Sequence, residues 1–277
     1  MKNLLATTCV FAASTVLSVN LANAVGFEIL VPHRAVYDVS LTKAEERSGI
    51  KGMSGRIVYE VSGNECDGIS VRYRFVTNVV TSRDSFITDQ QTSTYESPDG
   101  KEFSFQTKSF VNEVADDNVE GSAVISNDGI KIRLSKPKKR EIELSKGMFV
   151  STHLLKVIEE AKAGRHFLKK DIFDGSGSGD EVMASTSVIG NLKTISDKLK
   201  GETQSIANHF NGKSAWPVTI SYFKREMDNS SEGFPEYEAS FLLYESGISR
   251  KLVMRYPNYT LRADLQKLEI LDKTPCR

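Results

Sequence analysis

Most of the chain alternates apolar and polar residues with a period of two. Val71, Tyr73, Phe75 and Val79 share one phase, with Arg72, Arg74 and Asn78 on the other. Tyr237, Ala239, Phe241 and Leu243 alternate with Glu236, Glu238 and Ser240. Leu261, Ala263 and Leu265 alternate with Arg262, Asp264 and Gln266. Successive side chains of a strand point to opposite faces, so these runs predict half-buried antiparallel strands. The last run slips phase near Lys267, before Leu268 and Ile270, which predicts a β-bulge. Asp67-Gly68, Asp99-Gly100, Asn127-Asp128-Gly129 and Ser246-Gly247 punctuate the runs. Such pairs accept the positive φ of tight hairpin turns. The spacing predicts about a dozen or more strands. The expected fold class is all-β, mainly antiparallel: a long β-meander closed or nearly closed into a barrel, because curling hides the edges of a long sheet.

One segment departs from this period. Between Met148 and Ala163, Leu154, Val157, Ile158 and Ala161 recur at helical spacing. This predicts one α-helix near residues 149–163, packed on the curled sheet by that stripe. Ser151 or Thr152 is placed to cap its start and Gly164 to end it, with Lys162 and Arg165 near the negative end of the dipole.

The N-terminus reads differently again. Lys2 precedes an apolar stretch from Leu4 to Leu21, which ends in Ala22-Asn23-Ala24. That order predicts a secretory signal peptide, residues 1–24, cleaved after Ala24. It leaves a single β-rich domain, residues 25–277, exported to the periplasm. Cys9 would leave with the leader. Two cysteines then remain, Cys66 and Cys276, and an even count in an exported chain favours a disulfide. The absence of a CxxC spacing argues against a redox or metal pair. Lys plus Arg and Asp plus Glu both number 36, so no global charge favours nucleic acid or anionic lipid.

The candidate chemistry is sparse. Ala207-Asn208-His209-Phe210-Asn211-Gly212-Lys213-Ser214 loosely fits a nucleotide-binding loop. It has one glycine, and a strand from Val218 follows rather than the helix whose amides hold phosphate. A hairpin turn at Asn211-Gly212 is the expected structure, and no nucleotide is expected. Asp174, Ser176, Ser178, Asp180 and Glu181, in the only glycine-rich run, offer oxygen ligands at alternating positions. Ser185 stands where an EF-hand carries its bidentate Glu, so an exposed loop is expected rather than a calcium site. Gly177 occupies the place that a nucleophile elbow gives to serine. His33, His153, His166 and His209 show no metal spacing; His153 and His166 are expected to flank the helix. Lys136-Pro137-Lys138-Lys139-Arg140 reads as a solvated basic turn. Asn229-Ser230-Ser231 and Asn258-Tyr259-Thr260 match a glycosylation pattern, which by itself is too short to mark a site. No catalytic set, metal or cofactor is expected.

Several residues together carry a resemblance. Pro32-His33-Arg34-Ala35-Val36-Tyr37-Asp38-Val39-Ser40-Leu41 opens the domain, and Phe173-Asp174-Gly175-Ser176 lies mid-chain. Cys66 is matched by a near-terminal Cys276, and the tail runs from Leu243-Tyr244-Glu245-Ser246-Gly247-Ile248 to Leu271. The chain resembles the cell-envelope-integrity EipB family over this whole length. The resemblance implies a periplasmic, broken, spiral-like β-barrel with a packed helix and a disulfide at Cys66 and Cys276. It also implies a non-enzymatic role in envelope integrity and cooperation with a periplasmic tetratricopeptide-repeat protein. The expected mode of action is binding of a protein partner or of an envelope lipid, glycan or peptide. A carrier of an apolar, lipid-like ligand and a cell-wall hydrolase are the alternatives.

Overall fold

The period-two runs become sixteen strands among the described residues, which are 26–195, 198–224 and 233–276 of the computed structural model. The expected leader with its cleavage point, Cys9, and Asn229-Ser230-Ser231 lie outside them. The first strands are β1 (His33–Ala44), β2 (Ile50–Asn64), β3 (Gly68–Thr81), β4 (Ser85–Glu96), β5 (Glu102–Val111), β6 (Val114–Ile125), β7 (Ile130–Lys136) and β8 (Arg140–Leu144). A short β9 (Met148–Phe149) leads into helix α1 (Val150–Lys162). Then come β10 (Phe167–Phe173), β11 (Met183–Ile189), β12 (Lys193–Ile195), helix α2 (Gln204–Phe210), β13 (Lys213–Lys224), β14 (Tyr237–Leu243), β15 (Ser249–Arg255) and β16 (Tyr259–Ile270).

The four glycine-bearing turns fall where the sequence places them, between β2 and β3, β4 and β5, β6 and β7, and β14 and β15. The sheet order is β8-β7-β6-β5-β4-β3-β2-β1-β16-β15-β14-β13-β11-β10-β9, with β12 beside β13. Every ladder is antiparallel except the short one between β9 and β10. The first strand therefore pairs with the last. The bulge lies one residue from its expected place: Val36 pairs with Lys267 and Tyr37 with Leu265, leaving Gln266 out of the ladder.

The meander is curled but not closed by hydrogen bonds. β8 and β9 are the two edges of the sheet, yet only residues 145–147 join them. So short a link reaches no more than about 14 Å, which holds the two edges together. Side chains fill the seam. Phe103 of β5 stacks on Phe149 at 4.8 Å, and Phe105 meets Phe173 edge-on at 5.5 Å. Ile130, Ile132 and Leu134 complete this buried cluster. Across the same seam, Arg140 at the β8 edge pairs with Asp180 beyond β10.

α1 packs across one side of the curl. Val157, Ile158 and Ala161 are buried against Leu168, Ile189 and Trp216, with Phe27 and Leu30 in the same cluster. Its start differs from expectation. Ser151 and Thr152 lie inside the first turn, and the cap position is Phe149, with no side-chain cap. Glu96, at the end of β4, accepts from the amides of Ser151 at 2.9 Å and Thr152 at 3.0 Å. A carboxylate from a distant strand thus satisfies the first-turn donors and meets the positive end of the dipole. The other end follows expectation: Gly164, at φ 71°, lets its amide donate to the Ala161 carbonyl at 3.1 Å. Among the described residues no helix is long and apolar enough to cross a membrane.

Candidate functional site

Inward-facing side chains do not fill the curl. A cavity of about 350 Å³ lies between α1 and the inner face of β2–β5. A second, of about 230 Å³, lies towards β14 and β15. Tyr59, Tyr73, Leu154, Phe241 and Gly247 border both, so the two spaces adjoin, and together they are called the lumen. Its wall is uneven. β2 and β3 give it Tyr59, Val61, Val71 and Tyr73, whereas β4 gives Gln90, Thr92 and Thr94. These three alternate on one face of β4, where an apolar row is the ordinary pattern. Thr92 Oγ1 lies 3.0 Å from Thr107 Oγ1 of β5. A larger concavity of about 1020 Å³ is open to solvent on the outer face of β3–β8, with Ser93, Ser104 and Ser122 between Arg72 and Arg133.

Burial shifts the phenols and imidazoles that line the lumen. Burial pushes the Tyr59 phenol up to about 12, and Tyr73 and Tyr222 move the same way for the same reason. His153 is pushed down to about 4 by burial, with Lys170 adding to the effect, and His33 is lowered by burial too. Asp174 also borders the lumen, beside Ser176. Its Oδ1 accepts from the Ser176 amide at 2.8 Å.

His153 gives the protein a pH dependence. The unfolded chain binds the proton near 6.5 and the folded one only near 4, so stability is lost as pH falls through that window. The expected slope is roughly 1 kcal/mol per pH unit. His153→Gln should flatten it in urea titrations run between the two values; an unchanged slope would assign it elsewhere.

The residues singled out in the sequence fall as follows. Cys66, in the turn after β2, is bonded to Cys276, with Cα atoms 5.6 Å apart. The glycine-rich run is not simply an exposed loop. Its tip, Ser176 to Ser178, is exposed, but Gly175 and Gly179 are buried on the Phe105 ring. Both have φ of +70°, and a Cβ there would sit 2.5 and 2.9 Å from that ring, so only glycine lets the loop close on the seam. Two of its carboxylates are engaged, Asp180 with Arg140 and Glu181 with Lys224. Among the described residues no group of three His, Cys, Asp or Glu side chains is placed to hold a metal. The basic run is the β7–β8 turn, with Lys136 on Glu120.

Three sequence expectations are corrected. Asn211-Gly212 is not a hairpin turn; it leads from α2 into β13. The helix precedes the loop there, the reverse of a phosphate-binding order. α2 itself has a signal that period-two reading passes over: Thr203 accepts from the Ile206 amide at its cap, and Ile206, Ala207 and Phe210 are its buried face. The third concerns the histidines. His153 does not flank α1 but lies inside it, 3.4 Å from Ser187 Oγ. His166 follows the helix but turns to the Ile189 carbonyl at 2.8 Å instead of the helix end.

An open, curled antiparallel sheet, braced by a helix and bordering a mostly apolar lumen, defines a β-barrel-like protein. More narrowly, the chain belongs to the EipB-like family, whose model matches residues 25–272. It is 39% identical over 252 residues to the cell envelope integrity protein EipB of Brucella abortus (strain 2308), covering 89% of this chain and 88% of that protein. It is also similar to the crystal structure of a β-barrel-like protein of unknown function from Brucella abortus. That match has a TM-score of 0.81 and 39% identity, and covers 88% of this chain and 99% of the other.

Proposed function

We propose that this protein supports cell-envelope integrity from the periplasm, without catalysis, by holding an apolar envelope ligand in its lumen. The observation that carries this reading is the space itself. Tyr, Leu, Ile, Val and Phe side chains surround an interior that a purely structural barrel of this kind would fill. The relative's name supplies the cellular role, and the Cys66–Cys276 disulfide suits an oxidising compartment such as the periplasm. The hydrolase alternative finds little support. Among the described residues Ser187 Oγ comes within 3.4 Å of His153 Nε2, but Ser187 is fully buried and absent from the lumen wall. A nucleophile there cannot meet a substrate.

The test is native mass spectrometry of protein extracted without detergent. A stoichiometric lipid adduct is expected on the wild type. Leu154→Trp, which fills the space shared by both cavities, should lose the adduct and fail to restore detergent resistance to a deletion strain. A ligand-free wild type that also takes up no added lipid would sink the carrier reading.

A further inference from the structure

The lumen's two ends differ chemically, and the difference specifies a ligand more closely than "apolar". Towards Tyr37, Leu252 and Met254 the wall is apolar apart from hydroxyls. The Tyr37 hydroxyl is already committed, donating to the Ser249 carbonyl at 2.9 Å. At the other end stand the Gln90–Thr92–Thr94 row and Thr107, with Asp174 beside them. Asp174 is in no ion pair among the described residues, and neither cavity is walled by a Lys or Arg. The Ser176 amide satisfies one of its oxygens. The carboxylate therefore stands at the lumen as an acceptor, beside neutral hydroxyl and amide groups.

Size sets the other limit. The two spaces hold about 350 and 230 Å³, near the lower end of small-ligand sites, which suits one chain better than the several of a bulk membrane lipid. We infer that the lumen takes a single-chain amphiphile whose head donates hydrogen bonds and carries no negative charge, seated with its head on the β4 hydroxyl row and Asp174 and its tail towards Met254. The inference rests on the carrier reading. It separates alcohol-, amide- or amine-headed chains from fatty acids and phosphate-headed chains of the same length, which would bring a negative charge against the Asp174 carboxyl group. It also gives the polar face of β4 a purpose: a row that breaks the inward-apolar rule is where a binding function is expected to show.

The experiment uses isothermal titration of the mature, oxidised protein with monolauroylglycerol and with dodecanoate, which share a tail and differ in head charge. The glyceride should bind at least about tenfold more tightly to the wild type. Asp174→Asn keeps the shape and the acceptor for Ser176 but removes the charge, and should bring the two affinities within about threefold. Equal or tighter binding of dodecanoate by the wild type would overturn the inference and leave the carrier reading standing. So would an undiminished preference in a folded Asp174→Asn protein. If Leu154→Trp binds both probes as the wild type does, or if neither probe binds the wild type, the lumen is not the site and both readings fall. The wild-type ratio alone decides the matter where the variant does not fold.

Discussion

Glu202→Ala is expected to cost about 3–5 kcal/mol of folding stability, enough to bring a domain of ordinary stability close to unfolding. The Arg250 and Glu202 side chains are 1% and 2% exposed. Arg250 Nε donates to Glu202 Oε1 at 2.9 Å, and Nη2 reaches the other carboxylate oxygen. Nη1 donates to the Tyr244 hydroxyl at 2.9 Å, and the guanidinium lies over the Phe210 ring at 4.6 Å. The group thus ties the segment before α2, α2 itself and the β14–β15 turn into one unit. Forming such a pair from solvated ions gains little, since desolvation offsets attraction. Deleting one partner is different, because it strands a charge in a dry site. The double replacement Glu202→Leu with Arg250→Met should therefore recover most of the loss. Urea unfolding of the three proteins tests this. A Glu202→Ala protein within about 1 kcal/mol of wild type would show that water reaches the guanidinium.

Removing the disulfide is the second large effect. The bond closes a loop of sequence separation 210, for which chain entropy gives about 5 kcal/mol, reduced by any structure the unfolded chain keeps. Other contacts already hold the tail across the β2–β3 turn. Asn64 Nδ2 donates to the Thr274 carbonyl at 3.0 Å, and Lys273 pairs with Glu65 at 2.7 Å. Asn64 also orders the turn, its Oδ1 accepting from the amides of Cys66 and Asp67, both at 2.7 Å. These contacts outlive reduction but no longer benefit from a shortened loop. Cys66→Ser and Cys276→Ser should each lower Tm by about 10 °C, a few kcal/mol in a chain of this size. Wild type melted with reductant should match them. A melt indifferent to reductant would show that the non-covalent tail contacts suffice.

The strands were legible because half-buried antiparallel sheet writes itself as alternation, as at Leu261, Ala263 and Leu265, all fully buried. The hairpins were legible because tight turns need glycine. What was hidden depends on distance in sequence. Nothing near Ser151 announces that Glu96 will cap α1, and nothing near Arg250 announces Glu202. α2 is short, and its two-turn pattern is overshadowed by the Asn-Gly pair that follows it. The lumen was legible only in part. Curling follows from the meander, but whether a curled sheet is filled depends on how Tyr59, Tyr73 and Phe241 pack against one another. The clue available was the Gln90–Thr92–Thr94 row, polar where β4 faces inward. The glycine-rich run drew notice for its oxygens, but it is the glycines on Phe105 that place Asp174 at the lumen.

The pairing of the first strand with the last has a consequence for how the molecule is made. A chain delivered N-terminus first can zip β2 through β8 hairpin by hairpin, each contact local and fast. β1 gains β2 at once, yet its other edge must wait for β16, separated by the whole sequence between Ala44 and Tyr259. Throughout delivery that edge stands unpaired, a template for any stray strand. The nascent chain is therefore most open to misassembly just before its last strand arrives, and holding factors that cover strand edges should raise its folding yield more than its final stability.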